Sequence, residues 1–149
     1  MSTRSRIGIL KKDKSVESVY CHSDGYPEYN GYLLNKYYAN TNAVNMILAL
    51  GEFSYLKENL QDCLCYNVWR NEGTRSKVMQ TLEEFEKWCE QSDQEYAYLW
   101  DEEEEKWIFS PIPWGWTTEE MEEKWNWQDL NDYLIAEEVW KKWSDNVYE

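Results

Sequence analysis

The chain has 149 residues, enough for one domain that folds on its own core without a metal or disulfide staple. Hydrophobic residues make up 42%, which argues against wholesale disorder, and no apolar run reaches the roughly 20 residues of a bilayer span. A formal charge of −14 repels nucleic acid and anionic membranes and favours basic protein surfaces, or serves simply to keep an aromatic-rich protein soluble.

The opening Met1-Ser2-Thr3-Arg4-Ser5-Arg6 leads into a short apolar run with no signal-peptide core, so a cytoplasmic protein is expected. Arg6 to Leu10 reads as a strand, Lys11 to Lys14 as a polar turn, and Val16 to His22 as the return strand. Ser23 to Pro27 is a turn by composition, and Pro27 suits the first turn of a helix over about Glu28–Tyr38. A second helix spans Ala43–Leu50, with Gly51 as its terminating residue. Asp62 to Arg70 alternates as a strand. Thr81-Leu82-Glu83-Glu84 is a capping box opening a helix with Leu82, Phe85, Trp88 and Cys89 on its apolar stripe.

Glu95–Trp100 and Lys106–Ile112 form a second hairpin. Its tip, Asp101-Glu102-Glu103-Glu104-Glu105, carries five like charges and should be solvated. Thr117-Thr118-Glu119-Glu120 can cap a short helix, and a last helix runs over about Gln128–Trp143. The elements predict a single α+β domain: an antiparallel sheet of two hairpins and a middle strand, packed helices, and a helical C-terminus.

Charge and tryptophan are unevenly spread. Residues 1–75 hold 9 Lys/Arg and 8 Asp/Glu, against 6 and 21 in residues 76–149, so the halves carry +1 and −15. Nine of the ten tryptophans lie in the second half. Trp107, Trp114, Trp116, Trp125 and Trp127 crowd a non-periodic stretch. Framed by acids, they suit a protein-binding hot spot, a stacking pocket, or an aromatic mini-core under a loop.

The densest chemical signal is Tyr20-Cys21-His22-Ser23-Asp24-Gly25-Tyr26-Pro27, which contains the only histidine. His22 oriented by Asp24 could activate the Cys21 thiol. Neighbouring strand residues point to opposite faces, however, which sets Cys21 and His22 apart. The same turn offers Tyr20, His22, Asp24 and Tyr26 as a ligand pocket, with Arg4, Arg6, Arg70, Arg75 or Lys77 supplying charge for a phosphate. Cys63 and Cys65 are spaced wrongly for a zinc knuckle, and no metal or other cofactor is expected. No P-loop, dinucleotide fingerprint, nucleophile elbow or zinc-protease motif is present, and no enzymatic activity is expected.

Met1-Ser2-Thr3-Arg4-x-x-Ile7-Gly8, followed by Tyr20-Cys21-His22-x-Asp24-Gly25-Tyr26-Pro27-Glu28-x-x-Gly31-x-x-Leu34, resembles a family of small uncharacterised proteins of bacteriophages and mobile elements. Ala49-Leu50-Gly51-Glu52, Leu82-Glu83-Glu84-Phe85 and Glu95-Tyr96-Ala97-Tyr98-Leu99 before Lys106-Trp107 are similar too. The likeness covers about residues 1–110 and carries over no functional residues. Residues 111–149 depart from it as an acidic, tryptophan-rich helical extension.

The resemblance implies a phage accessory protein that blocks host defence, of anti-CRISPR or anti-restriction type. The expected partner is a host protein with a basic, nucleic-acid-binding surface, contacted without direct binding of nucleic acid or membrane. The candidate contact residues are Glu102, Glu103, Glu104, Glu105, Glu119, Glu120, Glu122 and Glu123, with Trp114, Trp116, Trp125 and Trp127 as anchors. Carboxylates would take the place of phosphates.

Overall fold

The computed structural model describes residues 3–63, 76–113 and 124–144 of the chain. Strands β1 (Ser5–Leu10) and β2 (Val16–Cys21) form the first hairpin. A π-helical turn (Pro27–Gly31) leads into α1 (Tyr32–Tyr37), and α2 (Thr41–Leu50) follows. Beyond it lie β3 (Lys77–Met79) and α3 (Leu82–Glu90). The second hairpin is β4 (Tyr96–Asp101) and β5 (Lys106–Pro111). The described chain ends with β6 (Gln128–Asp129), α4 (Leu130–Ala136) and α5 (Val139–Ser144).

The fold is α+β, with the strands in one sheet ordered β3-β2-β1-β4-β5-β6. Both predicted hairpins are present, but the sheet is mixed rather than antiparallel. β1 and β4 run parallel, from Ser5 beside Tyr96 to Leu10 beside Asp101. The reason lies in their composition. From Ala97 to Trp100, β4 is buried at every position, and β1 is buried from Ser5 to Ile9. Strands covered on both faces belong at a sheet's centre. Gly8 permits the close approach of β2 there, since a Cβ would lie 2.2 Å from the Glu17 carbonyl oxygen.

Helices cover both faces. On one, Ile7, Ile9, Val19, Tyr98, Trp107 and Phe109 pack under α1, α2 and α4. On the other, Val16, Ala97, Leu99 and Ile112 pack under Phe85 and Cys89 of α3, with Trp88, Trp125 and Trp127 at the margin. Residues 124–144 therefore belong to the same core as the hairpins: β6 pairs with β5, and Leu130, Leu134 and Val139 are buried.

Local chemistry explains the element boundaries. The Asn40 side chain caps α2 by accepting the Ala43 N–H at 2.8 Å, and Gly51 ends it at φ 75°. At α3, Thr81 accepts the Glu84 N–H, but Glu84 reaches back to Gln80 rather than Thr81, so only half of the expected capping box forms. The expected last helix is broken in two at Glu138, which lies in the left-handed region at φ 51°, and its first two residues form β6 instead. At the start of the expected 62–70 strand, Leu60–Asp62 form a 3₁₀ turn, and residues 64–70 lie outside the described chain. β3 is an additional strand, paired antiparallel with β2. Among the described residues no helix is long and apolar enough to cross a membrane.

Candidate acidic interface

The acidic tip is a built turn. The Asp101 carboxylate accepts the N–H groups of Glu103 and Glu104, both at 3.1 Å, and Glu105 takes φ 54°. Glu103, Glu104 and Glu105 are exposed and Glu102 is half-buried. The tip is not wholly unopposed, because the parallel β1–β4 pairing sets it beside the basic tip of the first hairpin. Glu102 accepts the Lys12 N–H at 3.2 Å, and Glu103 pairs with the Lys14 ammonium at 2.9 Å. The hydrogen bond and charge of Lys14 hold the Glu103 carboxyl below its ordinary range.

A second group of acids lies on α3, outside the candidate contact residues. With Phe85 and Cys89 buried against the sheet, Glu83, Glu84 and Lys87 are exposed on the outer side, and Glu86 and Glu90 are half-buried at its margin. Lys87 pairs with Glu83 at 3.2 Å. The apolar stripe that predicts the buried side also predicts this one, so the signal was available. β3 ends at Met79 opposite Val16, and Val16 lies beside Leu10 at the end of the sheet that bears both tips. α3 therefore starts at the end of the sheet that bears both tips, with the lysine-bearing tip of the first hairpin between β3 and the acidic tip, and leads toward exposed Asp93 and Glu95. Asp93 holds Arg4 at 2.8 Å.

Trp125 and Trp127 do not stand out as bare anchors. Their rings stack at 5.3 Å and 13°, and both are half-buried. Trp125 donates to Glu90 at 3.1 Å and Trp127 to Glu86 at 2.8 Å. They brace α3 from the side. Trp107 is a core residue whose indole N–H donates to the Tyr38 carbonyl at 3.2 Å. Trp114, Trp116, Glu119, Glu120, Glu122 and Glu123 lie outside the described residues.

The Tyr20–Pro27 segment does not assemble the chemistry considered for it. Cys21 is fully buried, with its Sγ 3.6 Å from the Ser23 carbonyl oxygen and 3.5 Å from the Asn30 amide nitrogen. Burial pushes its thiol up to about 12, the opposite of an activated nucleophile. His22 turns away, and its Nδ1 lies 2.9 Å from the Tyr20 hydroxyl. Asp24 takes φ 57° and its carbonyl accepts the Asn30 N–H. Tyr26 packs toward Tyr29, with ring centroids 6.3 Å apart. Among the four pocket candidates, Tyr20 and His22 are joined by that hydrogen bond.

The basic candidates are dispersed as well. Arg4 is taken by Asp93. Arg6 is 3% exposed, bonds Ser18 and lies 4.6 Å from the Trp88 ring centre. Desolvation brings its guanidinium down to about 10. The Lys77 ammonium lies 5.1 Å from the same ring, and Arg70 and Arg75 lie outside the described residues. No group of three or more possible metal ligands occurs among the described residues. Comparison with protein-family models, curated proteins and solved structures finds no match in any of the three.

Proposed function

We propose that this is a non-enzymatic binding protein that docks through its acidic surface on a basic, nucleic-acid-binding surface of another protein. Carboxylates stand where the phosphates of a nucleic acid would lie. The observation that carries the reading is the outer side of α3, where Glu83 and Glu84 are exposed and Glu86 and Glu90, half-buried beside the indoles of Trp127 and Trp125, add two further carboxylates against one lysine. The acidic tip at Glu103–Glu105 adds exposed carboxylates at the end of the sheet where α3 begins, across the lysine-bearing tip of the first hairpin. Such a surface steers a basic partner and repels nucleic acid itself. The resemblance to phage and mobile-element proteins makes the partner a host defence protein, with this chain as its inhibitor, of anti-CRISPR or anti-restriction type.

The test is capture of partners from a bacterial host lysate by the intact protein and by a variant with the exposed Glu83, Glu84, Glu104 and Glu105 changed to Gln. The reading expects a basic, nucleic-acid-binding protein retained at low salt, released as salt rises, lost with the variant and displaced by DNA or RNA. Screening makes the salt response steep, because the Debye length falls from about 10 Å at 0.1 M to about 3 Å at 1 M. A partner held equally by the Gln variant, or one not displaced by nucleic acid, would remove the mimicry.

A further inference from the structure

An apolar opening lies away from α3, between α1 and the α4–α5 pair. A cavity of about 220 Å³ is walled by Tyr32, Leu134, Ile135 and Trp140. Ile135 is 61% exposed and Trp140 55%, far more than the core residues beside them. The Asn35 amide donates to Asn131 at 3.0 Å, tying α1 to α4 at this place. Lys36 is the one charged residue lining the cavity. Its ammonium lies 3.2 Å from the Tyr32 hydroxyl and 5.3 Å from the Tyr37 ring centre, with no ion-pair partner among the described residues. Nearby Lys141, over the Trp140 ring, is already held by Glu138.

We infer that this groove binds a short protein segment that presents an aliphatic or aromatic side chain next to a carboxylate. Charge complementarity selects the carboxylate. In a chain of net charge −14, the groove offers a cation and no acid in its lining. Size and openness select a protein segment over a small molecule. The cavity is below the roughly 300–1,000 Å³ of pockets that enclose drug-sized ligands, and two of its walls stay wet. An anchor side chain seated between Trp140 and Ile135, with its neighbouring carboxylate on Lys36, would cover both, as hot-spot residues do. The inference is independent of the acidic surface on α3, which recruits the opposite charge.

The test uses two panels of short synthetic peptides, each with one Leu, Phe or Trp. One panel flanks that residue with Asp and the other with Lys. Amide and indole N–H spectra of the ¹⁵N-labelled full chain are followed as each peptide is added to millimolar concentration. The expected result is saturable shifts at Tyr32, Lys36, Ile135 and Trp140 with the Asp panel only, weakened at least tenfold by Lys36→Glu and by Trp140→Ala. Both positions are exposed, so the spectrum of each variant also reports that it folds. Equal or tighter binding of the Lys panel, indifference to Lys36→Glu, or no shifts with either panel would each overturn the proposal.

Discussion

Lys14 and Glu103 meet at 2.9 Å across 89 residues of sequence, joining the tips of two hairpins that run in register. Both side chains are largely exposed, so the pair is expected to add little stability and to lose that little in salt. The Glu103 carboxyl is lowered from 4.5, so its contribution is present above that value and fades as pH falls through the lower folded value. The Lys14 ammonium is raised from 10.5, so its share is present below that value and fades as pH rises through the higher folded one. Melting temperatures of Glu103→Gln and the parent should differ slightly between these limits at low salt and converge at about 1 M salt. A gap that persists in high salt would show that the tip is held by something else.

The buried thiols give a sharper prediction. Cys21 and Cys89 are fully buried, and desolvation pushes each to about 12. Neither should react with iodoacetamide at pH 8 in the native state, and both should react on unfolding in denaturant. Mass spectrometry of digested, labelled protein reads the sites. Native labelling of Cys21 at the rate of a small-molecule thiol would restore it as a candidate nucleophile.

Trp125 and Trp127 separate support from recognition. Because they stack on each other and donate to Glu90 and Glu86, replacing either by Ala should lower the stability of the α3 side of the core. The cost should be on the order of 2 kcal/mol, below the 3–5 kcal/mol typical of fully buried aromatic truncations. Urea denaturation followed by circular dichroism measures it. Unchanged stability in both variants would mean that the indoles brace nothing and are available as contacts.

Arg6 tests what a buried cation does here. It bonds Ser18 and packs on Trp88, but no carboxylate lies within ion-pair distance among the described residues. Arg6→Met keeps the packing volume and removes the charge, so it should be neutral or stabilising, while Arg6→Ala should destabilise by about 1–3 kcal/mol through lost packing. Thermal denaturation distinguishes them. A large loss with Met would show that the guanidinium itself is required.

Much of this architecture can be read from the chain. Both hairpins, α2 with its Gly51 stop and the buried stripe of α3 follow from patterns within about ten residues, where period and capping act. The parallel seam was not read, because strand pairing across 90 residues leaves no local mark beyond unbroken burial. β3 has three residues, too few to show alternation. The break at Glu138 sits where no glycine or proline announces one. At the candidate site, the solvated acidic tip was legible as a charge run. Its pairing with Lys14 was not, and neither was the bracing of α3 by Trp125 and Trp127, since both depend on which elements become neighbours.

The β1–β4 seam also bears on how the molecule assembles. Each hairpin can close its own ladder early, because its two strands are joined by a short turn. Their union must wait for Ser5–Leu10 to find Tyr96–Asp101, a closure over most of the chain, and such distant pairings slow folding. Until it occurs, two apolar strands hold open hydrogen-bonding edges that invite pairing with other chains. The same charge that would serve at a basic surface then has an earlier use, as mutual repulsion that keeps half-folded copies apart.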